Sequence, residues 1–407
     1  MSNHEEPSSS HPAPRLTSLW DTLQTEGLSW ILRRLRYRTP HSDWGRKIHA
    51  CVRKIIGGVL YPKRALLQPL QPNLWDAHTL YAFYDLQVAP VTFDASWFAV
   101  AADRRRHQLG LPRLHFIIVP GTFHGFREER AHYETTIDTE ARMWRLHNIV
   151  LPIFSLTRGF SGYSVLPSRP SVQWFFQGTP PIRYPEHYEP TLPVSHHPSE
   201  LLKTTSPSPH QDTVSHLQSP AQGLRYLQRW ANTRLRDRKL ITITLRDYEF
   251  MRERNSNIRD WAAFAARLDQ TRFLPVFILD TEGTLNPLPT ELEGLEIFRE
   301  ASWNVPLRMA LYELSELNLG VNNGPMFMCA LNKQTRVLIF KLVTASVPQT
   351  TEALIASLGF EIGGQLPFAT PYQKLVWEDD SLPVIEREFT AMMKIIEQNS
   401  IHSQHIS

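Results

Sequence analysis

The stretch LNLGVNNGPMFMCALN, residues 317–332, reads as a short apolar strand that runs into Asn322, Asn323, Gly324 and Pro325, followed by a helix beginning at or just after Pro325. Proline is favoured in a helix's first turn, where its missing N–H would have no intrahelical acceptor. Gly324 permits close approach to the backbone, and the asparagines offer both donors and acceptors. The same strand-then-helix unit recurs on either side. KLITITLRD (239–247), FLPVFILD (273–280), LEIFREA (295–301) and RVLIFKLV (336–343) read as strands. AQGLRYLQRWANTRLRD (221–237), IRDWAAFAARLDQ (258–270) and VPLRMALYEL (305–314) have helical period, and PVIEREFTAMMKIIEQ (383–398) is a periodic terminal helix. Continuous apolar runs alternating with helices predict a parallel sheet covered on both faces.

The pattern also holds upstream. LYAFYDL (80–86) and LHFIIVP (114–120) are apolar runs flanking a helical segment from Phe93 to Gln108, and IVLPIFSL (149–156) and VQWFF (172–176) are further strand candidates. Between the two blocks, residues 165–220 hold eleven prolines and one glycine, the composition of a linker or long surface loop. The predicted organisation is a disordered tail (1–14), a basic helical segment (15–70), a first α/β domain (71–190), a Pro/Ser-rich linker (191–221), a second α/β domain (222–380), a terminal helix packing back (381–398) and a tail (399–407). A chain of 407 residues suits two such domains better than one. The expected fold is α/β, with two Rossmann-like domains facing across a cleft.

Composition narrows the function classes. With 42% hydrophobic and 20% charged residues the chain is globular. No apolar run is long enough to cross a bilayer and the first residues lack a secretory pattern, so a soluble, cytoplasmic protein is expected. The net charge of +3 is unevenly placed, since residues 1–70 carry eleven Lys/Arg against five Asp/Glu. Residues 15–64, with Trp20 and Trp30 beside Arg33, Arg34, Arg36 and Arg38, read either as helices capping the first domain or as a peripheral contact with the anionic inner face of a membrane. Nucleic acid is not expected as a partner. Cys51 and Cys329 lack the spacing of a disulfide framework or a zinc site, and the histidines are scattered, so no metal site is expected. Absence of GxGxxG after a strand, GxxxxGK[ST], GxSxG and HExxH removes support for nicotinamide oxidoreductases, P-loop NTPases, α/β-hydrolases and zincins.

In open parallel sheets ligands bind beyond the carboxyl ends of the strands, which selects the candidate residues. Arg246 ends the 239–247 strand, and Arg252, Arg254, Asn255 and Asn257 precede the next helix; they read as a diphosphate clamp or, equally, as solvated loop arginines with an asparagine cap. Ser302, Asn304 and Arg308 form a second element, and Asn322, Asn323, Gly324 and Pro325 a third; each set has a plain reading as helix caps and a turn. In the first domain, Asp85, Asp94 and the loop residue His124 are candidate bases for deprotonating a hydroxyl, with Asp94 equally readable as a first-turn carboxylate. Arg145 and Arg169 are weaker candidates. Glu378-Asp379-Asp380 reads as a loop before Pro383.

VNNGPMFMCA (321–330) resembles the Asp, Thr/Ser, Gly, Pro/Leu, Met, His, x, Ala turn that follows a strand in the lipopolysaccharide heptosyltransferase family of GT-B glycosyltransferases. The resemblance covers about ten residues, with Asn322 in place of the family's Asp and Phe327 in place of its His, so its donor-sugar contacts do not carry over and heptose is not implied. ITITLRDYEF with Arg246 is similar, more loosely, to the strand-end arginine that contacts phosphate in the fucosyltransferase branch. The resemblance implies a glycosyltransferase that uses a nucleotide-sugar donor without a bound metal or other cofactor. It further implies a glycan, lipid or protein acceptor and a terminal helix that crosses back to the first domain. A non-catalytic binding or assembly module and a sugar-nucleotide epimerase on the same architecture are the alternatives.

Overall fold

The computed structural model describes residues 75–404, except 130, 177–180, 195–198 and 203–216, together with 47–48, 50–55 and 58. The predicted tail over 1–14 and most of the basic segment, Trp20 and Trp30 included, lie outside the described residues. Within that segment residues 47–48 and 50–55 are helical. Among the described residues no helix is long and apolar enough to cross a membrane.

The protein is α/β with two sheets whose pairings are all parallel. The first contains β1 (Thr79–Asp85), β2 (Arg113–Val119), β3 (Phe160–Val165) and β4 (Arg183–Tyr184) in the order β3-β2-β1-β4. The second contains β5 (Lys239–Thr244), β6 (Phe273–Ile278), β7 (Glu296–Ile297), β8 (Leu317–Val321), β9 (Val337–Phe340) and β10 (Gln373–Leu375) in the order β10-β9-β8-β5-β6-β7. The second order is that of a doubly wound sheet, whose winding reverses between β5 and β8 and opens a crevice there. Helices α1 (Ala95–Gln108), α2 (Thr139–Arg145), α3 (Ala221–Arg234), α4 (Ile258–Arg267), α5 (Val305–Leu314), α6 (Gly324–Ala330), α7 (Glu352–Ser357) and α8 (Leu382–Gln404) complete the framework. β6, β8 and β9 are buried at every residue, which is why they read as unbroken apolar runs.

Three expectations change. IVLPIFSL is not a strand: Leu146–Val150 forms a π-helical turn and Leu151–Phe154 an α-helical one, continuing α2. An apolar run of that length fits a fully buried helix as well as a strand, and Ile149, Val150, Ile153 and Phe154 are all buried. VQWFF lies in a 3₁₀ helix, Arg169–Phe176. The strand that fills the third place is FSGYSV, whose serines and glycine give little apolar signal because β3 is an edge strand with every second residue exposed. Finally, the terminal helix α8 lies on the second sheet's own side. Its buried Ile385, Phe389, Met392, Met393 and Ile396 join the cluster of Trp261, Phe264, Phe273 and Phe340, with Phe389 edge-on to Phe264 at 5.2 Å. An apolar stripe says that a helix is packed but not against which neighbour. Asp380, just before α8, accepts hydrogen bonds from the Asn257 amide (2.7 Å) and the Trp261 indole (2.8 Å), while Glu378 pairs with Arg387.

The proline-rich stretch is in part structural. It supplies β4 and the buried Tyr188 and Glu189, and its far end ties the halves together, the Leu217 amide donating to Leu331 O (3.2 Å) and the Gln218 amide to Leu156 O (2.8 Å). Trp97 of α1 packs on Phe327 of α6 at 5.8 Å. The carboxyl ends of the two sheets thereby face one another.

Candidate functional site

A cleft of about 430 Å³ lies between these carboxyl ends. Asp94, Arg246, Arg308, Asn322, Asn323, Gly324 and Pro325 line it together, so most residues that follow the strand-end rule converge on one place. Arg252, Asn255, Ser302, Asn304, Asp85 and His124 are not among its lining residues.

The crevice between β5 and β8 is built around Arg246. Its buried guanidinium donates to Met251 O (3.0 Å), Phe250 O (2.6 Å) and Asn255 Oδ1, while its backbone amide donates to Ser256 Oγ at 2.9 Å. Arg246 thus braces the 247–256 loop, and Asn255 completes the brace by accepting from the Tyr248 amide and donating to Tyr248 O. Met251 holds a left-handed backbone, φ 60°, unusual for a side chain of its size, at the position whose carbonyl Arg246 grips. Arg252 is exposed and paired with Glu249.

The braced loop presents Arg254, which the strand-end rule named without singling out. Its guanidinium donates to Asn322 O at 3.0 Å, spanning the crevice from the β5 side to the β8 side. Burial and the neighbouring Arg246 hold it down to about 10, opposed by Asp94 from the facing half. Arg308 enters from α5, donating to Ala301 O (2.6 Å) and Ser302 O (3.2 Å), with its charge 5.8 Å from the Phe93 ring. Asp280, just past β6, accepts from the Asp247 amide; burial raises it above the ordinary carboxylate range against the pull of Arg308 and Arg246. It obeys the strand-end rule, but in FLPVFILD the apolar run marks only a strand and nothing local distinguishes its final carboxylate as part of a site.

The remaining candidates have structural partners. Asn304 and Asn323 are N-caps, accepting from the Leu307 and Met326 amides at 3.0 Å each. Asn322 donates to Leu342 O at 2.8 Å. Ser302 is buried, and its hydroxyl finds no partner among the described residues. Gly324 is required by the opposite half: a Cβ there would fall well inside contact with the Phe93 side chain. Gly324→Ala is therefore expected to cost about 1 to 3 kcal/mol and to wedge the halves apart, read as a lower urea midpoint and a larger radius of gyration by solution scattering.

From the first half, Asp94 stands exposed at the start of α1, accepting from the Thr92 hydroxyl at 3.1 Å. Asp85 is elsewhere. It occupies the switch point between β1 and β4, where Arg169 grips both carboxylate oxygens at 2.7 and 2.9 Å, Tyr188 donates at 2.5 Å and the Gln87 amide at 2.9 Å. The crevice that the first sheet offers is filled by the protein's own side chains. His124 sits exposed at φ 48° on a turn closed by Gly121 and Gly125, outside the cleft. Arg145 crosses the cleft, donating to the Tyr248 hydroxyl at 3.1 Å and to Glu282 at 3.4 Å. Among the described residues no group of three His, Cys, Asp or Glu side chains could hold a metal ion.

Three solved structures resemble this one distantly. A glycosyl transferase family 9 structure from Veillonella parvula superimposes with a TM-score of 0.41 at 10% identity over 78% of this chain and 89% of its own. The ADP-heptose lps heptosyltransferase II of E. coli gives 0.33 at 11% over 86% and 81%, and the wall teichoic acid polymerase TagF 0.32 at 11% over 87% and 89%. No family model and no curated protein matches the sequence.

Proposed function

We propose that the protein is a glycosyltransferase that takes a nucleotide-sugar donor. The observation carrying this reading is that Arg254 and Arg308 on one half and Asp94 on the other line the same cleft, at the winding reversal of the six-stranded sheet. Arg254 and Arg308 hold the diphosphate and neutralise its charge as the bond from the sugar carbon to the phosphate oxygen breaks, with no metal needed for that role. The acceptor, a glycan, lipid or protein hydroxyl, approaches from the first half, and Asp94 takes its proton as the new bond forms. Arg246 acts indirectly, through the loop it braces.

Donor turnover tests this reading. Asp94→Asn is expected to lower kcat by about a hundredfold or more while changing donor affinity less than about threefold; an unchanged kcat removes Asp94 from the role. A second reading, a module that binds nucleotide without transfer, is favoured by a specific observation. The turn at 323–325 already has its Asn323 oxygen spent on capping and Phe93 packed on Gly324, and Phe327 replaces the family's histidine. Nucleoside diphosphate binding without turnover of any donor would select it.

A further inference from the structure

The cleft lining is chemically of two kinds. Besides Arg254 and Arg308 it includes Phe327, Leu358 and Phe360 of the second half, with Phe327 5.6 Å from Phe360 and the buried Trp97 of the first half 6.2 Å from Phe360. Phe93 sets its ring 5.8 Å from the Arg308 charge and its Cβ against Gly324. Phe327, Leu358 and Phe360 are only half-buried although they line the cleft, so apolar surface faces its interior. Sugar hydroxyls buried against such a wall would lose their water partners without replacement, a cost of roughly 1 to 3 kcal/mol for each unpaired group. An alkyl or isoprenyl chain gains there instead, by the ordinary burial of methylene groups.

We infer that the cleft accommodates an amphiphilic organic phosphate, an isoprenyl or alkyl diphosphate whose charged head lies on Arg254 and Arg308 and whose hydrocarbon lies on Phe327, Leu358 and Phe360. The inference rests on the anion-binding reading of the cleft and adds a lipid diphosphate as a second ligand of the same two arginines, bound in competition with a nucleoside diphosphate. Calorimetric titrations of the full chain with inorganic diphosphate, geranyl diphosphate and a panel of nucleoside diphosphates test it. Geranyl diphosphate is expected to bind at least tenfold more tightly than inorganic diphosphate. Phe327→Asn in α6 and Leu358→Asn just past the end of α7 are each expected to erase that advantage while leaving inorganic and nucleoside diphosphates within about threefold. Phosphatidylcholine vesicles with and without a long-chain isoprenyl phosphate separate a membrane-held source from a soluble one. If nucleoside diphosphates bind but geranyl diphosphate is no tighter than inorganic diphosphate, the inference fails and the donor reading stands. A parallel loss of nucleoside diphosphate affinity in both variants would place a base on the wall and overturn it. No binding of any anion would remove both.

Discussion

Asp85→Ala is expected to destabilise the protein by about 3 to 5 kcal/mol, because it strands a half-buried arginine that was held by a fully buried carboxylate. The carboxylate is fully enclosed while Arg169 keeps 16% of its side-chain surface, so little solvent reaches the broken pair. Arg169 also donates to Pro120 O (3.1 Å) and Pro190 O (2.7 Å), so the charge pins the end of β2 and the proline-rich stretch to the end of β1. Loss of the pin should show as a lower urea midpoint. The folded fraction should bind nucleoside diphosphates with unchanged affinity, since Asp85 is not part of the cleft. A catalytic role for Asp85 would reverse the pattern, with stability retained and turnover lost.

Arg246→Ala is expected to cost about 3 kcal/mol of stability, the loss of three charged-donor hydrogen bonds that leaves their acceptors partly buried. Arg246→Lys should recover less than half of this, because an ammonium cannot reproduce the planar fork that spans Phe250 O, Met251 O and Asn255. Ligand affinity should fall in both variants as the loop that carries Arg254 loosens. Hydrogen exchange separates this indirect effect from a direct phosphate contact: faster exchange at residues 247–256 without ligand is the expected signature, and unchanged exchange with lost affinity would return Arg246 to the ligand.

Much of the scaffold was legible because parallel strands buried on both faces announce themselves as apolar runs. LHFIIV, FLPVFI and VLIF each became strands, and the strand-end rule drew Asp94, Arg246, Arg308 and Asn322 to one cleft. The rule failed where burial without periodicity left helix and strand indistinguishable, as at IVLPIFSL, and where an edge strand carried serine and glycine, as at FSGYSV. Roles were harder to read than places. A strand-end arginine looks the same whether it faces a phosphate or, like Arg246, its own loop, and a glycine the same whether a ligand or Phe93 approaches it. Contacts made across the cleft, such as Arg145 to Tyr248 and Trp97 to Phe327, join residues more than a hundred positions apart, and nothing local in the chain marks them.

The central claim is that Arg254 and Arg308 make the cleft a diphosphate site. Isothermal titration of the full chain with a panel of nucleoside diphosphates tests it most directly, with Arg254→Ala beside the unaltered protein. Binding of at least one nucleoside diphosphate in a single site is the expected result, weakened by about 1.5 to 3 kcal/mol in the variant, the value of a charge-assisted hydrogen bond. A folded protein that binds none of them, or a folded Arg254→Ala protein that binds as tightly as the original, would contradict it.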